Sequence, residues 1–185
     1  MKKSLMAAAA LMLCGLSASA TAGDGFVRAE VGQSKVKAIL EDVGSSHDKD
    51  TAYSLRGGYW FNPNFAAEAS YSHFYDRPLF KDGQGRADGK LSAIGLGMIA
   101  KEHATETDLG FFVQLRAGIA RSKFSIRSTQ GNDSETSNRP YYGIGAGYDF
   151  SKTFGVSLNY DHNRASVGAL RLRTNTLSLG LEARF

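Results

Sequence analysis

Residues 58–73, GYWFNPNFAAEASYSH, alternate with period two on both sides of Asn62-Pro63-Asn64. Tyr59, Phe61, Phe65, Ala67, Ala69 and Tyr71 fall on one face, and Gly58, Trp60, Ala66, Glu68, Ser70 and Ser72 on the other. Alternation broken by an Asn/Pro turn predicts a β-hairpin. The same frame returns at 147–162, GYDFSKTFGVSLNYDH, with Gly, Tyr, Phe, Phe, Tyr and His at identical spacing and Ser151-Lys152-Thr153 as the turn. In each copy aromatics flank the turn and Tyr-x-His closes the far end. An apolar segment held between two aromatic levels is the pattern of a strand pair whose outer face meets lipid.

The same reading extends to eight strands. The first spans 25–33, with Val27, Ala29 and Val31 opposed to Arg28, Glu30 and Gly32. The first hairpin supplies 52–61 and 65–75, and a glycine-rich fourth strand, apolar on both faces, covers 90–100. In the fifth, 109–120, Phe111, Val113, Leu115, Ala117 and Ile119 share a face. The second hairpin gives the sixth and seventh, and the eighth, 173–185, places Leu177, Leu179, Leu181, Ala183 and Phe185 outward. Polar stretches at 34–51, 76–89, 121–138 and 163–172 read as long loops that alternate with tight turns. Long loops at one end and short turns at the other is the asymmetry of bacterial outer-membrane barrels. Gly95-Leu96-Gly97 and Gly143-Ile144-Gly145-Ala146-Gly147 lack the following helix of a dinucleotide loop, and thin and curve the wall instead.

Composition narrows the compartment. Lys2 and Lys3, an apolar run at 5–16 and the small residues 18–22 form a secretory signal peptide, cleaved after Ala20 or Ala22. Residues 1–22 are therefore assigned to a removed leader and 23–185 to a single outer-membrane β-barrel domain. Cys14 lies in the leader behind Leu13, which does not fit a lipid-anchoring signal; the mature chain then holds neither a disulfide nor a cysteine metal site. Loss of Lys2 and Lys3 takes the net charge from +4 to +2. The pI of 9.2 would suggest nucleic acid in a cytosolic protein, but export argues against that partner. No apolar run in the mature chain approaches the roughly 20 residues of a membrane helix, which leaves the closed barrel as the way to satisfy backbone groups in a bilayer.

The GY-x-F-turn-F…E…Y hairpin, the strand PYYGIGAGYDF and the terminal LEARF resemble the small outer-membrane β-barrel family of the OmpA transmembrane domain, OmpX and Ail. The resemblance covers the whole mature chain. It implies an all-β, eight-stranded antiparallel up-and-down transmembrane barrel in the Gram-negative outer membrane. It also implies that the terminal Phe185 is the signal read by the barrel assembly machinery. OmpA continues into a peptidoglycan-binding domain; this chain stops at the barrel, so that activity is not carried over.

Strand parity sorts the charges. Arg28, Arg56, Arg116 and Arg184 face inward with Glu30, Glu68, Asp149, Asp161 and Glu182, a balance of −1. An eight-stranded barrel is filled by its own side chains, so these groups must satisfy one another or trapped water. A structural ion-pair network, a proton relay and a narrow gated pore all fit such a cluster. The loop end carries fourteen basic against nine acidic residues, and the turn end Lys101 and Lys152 against Asp24, Glu102, Glu106 and Asp108. Lys90, Arg121, Lys123, Arg139, Arg164 and Arg173 sit where strands leave the membrane, at the level of lipopolysaccharide phosphates. They read either as a lipopolysaccharide rim or as ordinary solvated loop charge.

The remaining chemistry is sparse. His73 and His162 fall at equivalent outward rim positions, and His47 and His103 in loops without ligand-like neighbours, so no metal or cofactor is expected. His162 with Ser166 or Ser157 is the nearest approach to a catalytic pair, but it lacks the tight His-x-Ser of the small-barrel deacylase PagL. No catalytic residue is therefore assigned. The expected role is that of a monomer that displays loops, contacts outer-membrane lipid and lipopolysaccharide, and adheres to a host or neighbouring surface. A narrow channel for small solutes is the alternative, and a lipid-modifying enzyme the third reading.

Overall fold

A computed structural model describes the backbone of residues 25–40, 44–82, 85–128, 131–167 and 170–185, and the side chains of 25–37, 49–74, 90–125, 134–164 and 173–185. The proposed leader lies outside these residues. Eight strands follow in order: β1 (Gly25–Leu40), β2 (Gly44–Asn62), β3 (Phe65–Asp82), β4 (Gly85–His103), β5 (Gly110–Ser128), β6 (Gly131–Asp149), β7 (Phe154–Val167) and β8 (Leu170–Arg184). Each pairs antiparallel with the next, and β1 pairs with β8 to close the barrel. At the seam Gly25 N–H donates to the Phe185 carbonyl at 3.2 Å and Phe185 N–H to the Gly25 carbonyl at 2.9 Å.

The alternation in sequence becomes inside and outside. Phe111 is 70% exposed and Leu96 68%, while Glu68 on the opposite parity is 3% exposed, an inversion that only an apolar exterior makes favourable. Tyr53, Tyr71, Tyr142 and Tyr160 form the outward aromatic level toward the loops. Tyr59, Phe61, Phe65, Phe111, Tyr148, Phe150 and Phe154 form the level at the turns.

The duplicated hairpin is built on duplicated turns. Asn62 Oδ1 accepts from the N–H groups of Asn64 and Phe65 at 2.9 and 2.8 Å. At the equivalent position Ser151 Oγ accepts from Thr153 and Phe154 at 3.2 and 3.0 Å. A short side-chain acceptor that caps the two following N–H groups fixes each turn, and with it the register of its strands.

One expectation is corrected. The stretches read as loops are mostly strand: β1 and β2 stay paired out to Leu40 and Gly44, β5 and β6 out to Ser128 and Gly131. Ladder hydrogen bonds need only backbone groups, and above the membrane the outer face meets water, so the pairing continues where the two-residue hydrophobic period stops.

The interior is filled in layers. Toward the loops Ala52, Phe74, Leu91, Ala93, Ala120 and Tyr141 pack together with Val36 and Phe124 against them. Toward the turns Phe26, Trp60, Ala66 and Ile99 form a second apolar cluster. β4 supplies both clusters from its inner face and Ile94, Leu96 and Met98 from its outer face, which explains its apolar character on both sides. A closed hydrogen-bonded wall resists detergent until it opens. The mature protein is accordingly expected to run at a different apparent mass on gels when heated than when not; identical migration would contradict closure.

Candidate functional site

Two groups of charges fill the rest of the interior, the upper between the apolar clusters and the lower beside the turn-end cluster, with Lys101 and Arg184 over the Trp60 ring. In the upper group Arg116 on β5 binds Asp161 on β7 through Nε at 2.7 Å and Nη2 at 2.6 Å, and Glu30 on β1 through Nη1 at 2.8 Å. Arg56 on β2 reaches Glu30 at 3.0 Å, Glu68 on β3 at 3.0 Å and Asp161 at 3.5 Å. Tyr141 on β6 donates its hydroxyl to Glu68 at 2.7 Å. Six strands thus meet in one hydrogen-bonded layer.

In the lower group Arg28 pairs with Glu182, its Nε at 2.9 Å, and Arg184 binds Glu182 at 2.6 Å and Asp149 at 2.7 Å. Gln114 and Asn159 join the groups: Arg28 donates to Gln114 at 3.1 Å, Gln114 to Asn159 at 2.6 Å, and Asn159 to Glu30 at 3.3 Å.

Parity identified the arginines and acids but misplaced one cation. Lys101, assigned above to the turn end, is 3% exposed, lies 3.3 Å from Asp149 and 3.6 Å from Glu182, and stands over the Trp60 and Phe112 rings at 4.5 and 4.2 Å. Adding Lys101 to the four arginines balances the five acids, so the −1 expected for the interior becomes zero. His103, expected in a loop without partners, places Nε2 2.8 Å from Asp149 Oδ2. Both lie on the inward parity of Ile99; ending the fourth strand at residue 100 hid them. Gln114, Tyr141 and Asn159 carry no formal charge and so escaped a search for charges.

The glycines of β4 and β5 have a specific task. Tyr141 lies flat along the inner wall, and a Cβ at Gly118 would come within 2.7 Å of its ring, with Gly97 closed off by its hydroxyl as well. Only a missing side chain lets the ring reach Glu68.

Outside, Lys90, Arg121, Lys123, Arg164 and Arg173 are exposed and share the outward parity. Arg139 is exposed too, but its register opposite Ala120 puts it on the inward-facing parity with Tyr141. The rim histidines also separate. His73 is 4% exposed and stacks on Tyr53 at 4.7 Å, so it is buried rather than presented at the interface, whereas His162 is half-buried against Tyr142 at 5.0 Å. Ser157 faces the interior and accepts from Asn159 at 2.9 Å, on the other side of the wall from His162, so those two form no catalytic pair. The Ser166 side chain lies outside the described residues, as does that of His47. Among the described residues no group of three or more His, Cys, Asp or Glu is arranged to hold a metal ion.

A closed eight-stranded barrel with a lipid-facing exterior and a charge-balanced interior defines a small outer-membrane barrel protein. Residues 6–185 match the family described as outer membrane protein beta-barrel domain, and the chain belongs to that family. Among solved structures it is similar to Neisserial surface protein A, at 20% identity over 87% of this chain and 97% of that one, with a TM-score of 0.69. It is similar also to Ail, the attachment invasion locus protein of Yersinia pestis, in complex with the heparin analogue sucrose octasulfate. There the identity is 16% over 86% and 99% of the two chains, with a TM-score of 0.58. The N-terminal β-barrel domain of Pseudomonas aeruginosa OprF aligns at 14% identity over 86% and 98%, with a TM-score of 0.54. At these identities the likeness is one of fold. No curated protein sequence matches the chain.

Proposed function

We propose that the protein is a monomeric, non-conducting and non-catalytic barrel that acts through its loop end, where it displays extended hairpins and holds lipopolysaccharide at the rim. The observation that supports this most is the contrast between the two sides of the wall. Inside, every charge of the network is paired and apolar clusters lie toward both ends. Outside, cations stand exposed above the lipid-facing band. Lys90, Arg121, Lys123, Arg164 and Arg173 are the rim, and Arg139 sits on the inward-facing side of the loop end. The chain reaches the membrane through the leader 1–22 and the barrel assembly machinery, with Phe185 as its signal. Adhesion to a host or neighbouring surface through the hairpin tips fits the same frame: the Ail barrel, of similar fold, is known in complex with a polysulfated sugar.

Two measurements test this reading. Planar-bilayer recordings of the mature protein should show no steady conductance; discrete ion-conducting steps would promote the channel. Neutralising the five outward rim cations together should weaken lipopolysaccharide association without unfolding the barrel, and added salt should weaken it in the wild type, since the Debye length falls to about 3 Å at 1 M. Unchanged binding at every salt concentration would refute the rim.

A further inference from the structure

The repeat seen in the two hairpins extends to all eight strands. Phe26, Val27, Gly32 and Lys37 of β1 recur in β5 as Phe112, Val113, Gly118 and Lys123. Ile94-Gly95-Leu96-Gly97-Met98-Ile99-Ala100-Lys101 of β4 recurs in β8 as Leu177-Ser178-Leu179-Gly180-Leu181-Glu182-Ala183-Arg184. The run Leu-Gly-apolar-x-Ala-basic occurs in these two strands and nowhere else in the chain. With β2 and β3 already matched by β6 and β7, the strands β1–β4 and β5–β8 are two copies of one four-stranded unit.

The closed strand order sets each strand on the opposite wall from its counterpart. Equivalent residues of β1 and β5 meet across the lumen: Arg28 donates to Gln114 at 3.1 Å, and Arg116 to Glu30 at 2.8 Å. Lys101 of β4 and Arg184 of β8 reach the same acids from opposite sides, 3.3 and 2.7 Å from Asp149 and 3.6 and 2.6 Å from Glu182. Both stand over the Trp60 ring. On the lipid side Ile94, Leu96 and Met98 are exposed as Leu177, Leu179 and Leu181 are. The two strands part at their last outward position. There β8 leads to Phe185, while β4 carries Glu102, whose carboxylate accepts from Asn64 Nδ2 at 2.9 Å.

A strand bound at a sheet edge is held through its backbone and selected through the side chains at alternate positions. At those positions Ile94, Leu96, Met98 and Ala100 of β4 present what Leu177, Leu179, Leu181 and Ala183 present in β8. We infer that residues 94–101 of β4 are a second docking segment for the barrel assembly machinery, bound as a strand in the manner of β8 and more weakly, because Glu102 replaces the aromatic ring. The inference rests on the reading of Phe185 as the assembly signal. It also meets a physical need. β8 closes the barrel by pairing Arg184 with Phe26, from opposite ends of the chain, and pairing at such separation is slow. Until β5 joins it, β4 is a free edge with large apolar side chains on its outer face, the kind of strand that pairs with wrong neighbours. A partner paired with β4 covers that edge while the second unit is added.

The test follows assembly of the full mature chain by reconstituted assembly machinery in vesicles, read from the gel shift on heating, with synthetic peptides of equal length as competitors. These are residues 174–185 of β8, residues 91–102 of β4, the latter with Glu102→Phe, and residues 50–61 of β2, which end on Phe61 but lack the shared run. Peptides 174–185 and 91–102 should both slow assembly, the second at about tenfold higher concentration. Glu102→Phe should close that gap, and 50–61 should leave the rate unchanged. In the chain itself Phe185→Ala should slow assembly, and Glu102→Phe added to it should restore part of the rate, while unassisted folding in detergent stays the same for both variants. Competition by 174–185 without competition by 91–102 would overturn the second segment alone. No competition by 174–185 would remove the Phe185 reading with it. Competition by 50–61 equal to that by 91–102 would make β4 no more than any barrel strand, and no recovery with Glu102→Phe would end the equivalence of β4 and β8.

Discussion

Arg116→Met is expected to lower barrel stability by about 3–5 kcal/mol, the usual range when one partner of a buried ion pair is removed. Arg116 has three short hydrogen bonds and a side chain with no exposure, and it alone contacts both Glu30 and Asp161 closely. In its absence Asp161 retains only Arg56 at 3.5 Å, and the upper group goes from two cations against three acids to one against three. The loss should appear in equilibrium urea unfolding in phospholipid bilayers. The double variant Arg116→Met with Asp161→Leu should recover part of it, since the acid left unpaired is then gone. Lys101→Met should cost less, because Asp149 keeps Arg184 at 2.7 Å and His103 at 2.8 Å. A cost under about 1 kcal/mol for Arg116→Met would mean that the acids are hydrated and the interior is open.

The contrast between Arg116 and Lys101 shows where the sequence was readable. Arg116 sits within the stretch of β5 from Phe111 to Ile119, where every outward residue is apolar, so its parity admitted one reading. Lys101 and His103 follow at the end of β4, where lipid no longer enforces the outer face: Glu102 and Ala104 are exposed and polar or small. With one face of the alternation gone, a strand end and a turn look alike, although the backbone pairing of Lys101 with Gln114 and His103 with Phe112 continues. The hairpins above the membrane were misread as loops for the same reason. Partners inside the barrel were not legible at all, because they are set by stagger around the closed sheet: Arg56 meets Asp161 across 105 residues. Lys37 and Arg173 are 136 positions apart in sequence (173 minus 37), and only the β1–β8 register makes them neighbours.

Leu179→Arg is the second large effect expected, about 2–4 kcal/mol for a cation near the bilayer midplane on the lipid face. Leu179 is 55% exposed and pairs with Leu158 and Val31, one row below the level of Tyr160 and Leu177 and two above that of Phe154 and Ala183. An arginine there reaches neither aromatic level without bending the chain or thinning the bilayer. Leu177→Arg makes the same chemical change one row higher, beside Tyr160 and directly beneath Asn175, where the guanidinium reaches headgroup phosphate. Its cost should fall to about 0–1 kcal/mol, as for positions near the interface. Measured in the same bilayer, the two variants differ only in depth. Equal costs would place the membrane elsewhere along the barrel. A cost at Leu177 well above that at Leu179 would shift the barrel's hydrophobic band toward the hairpins and take the rim cations out of the headgroup level.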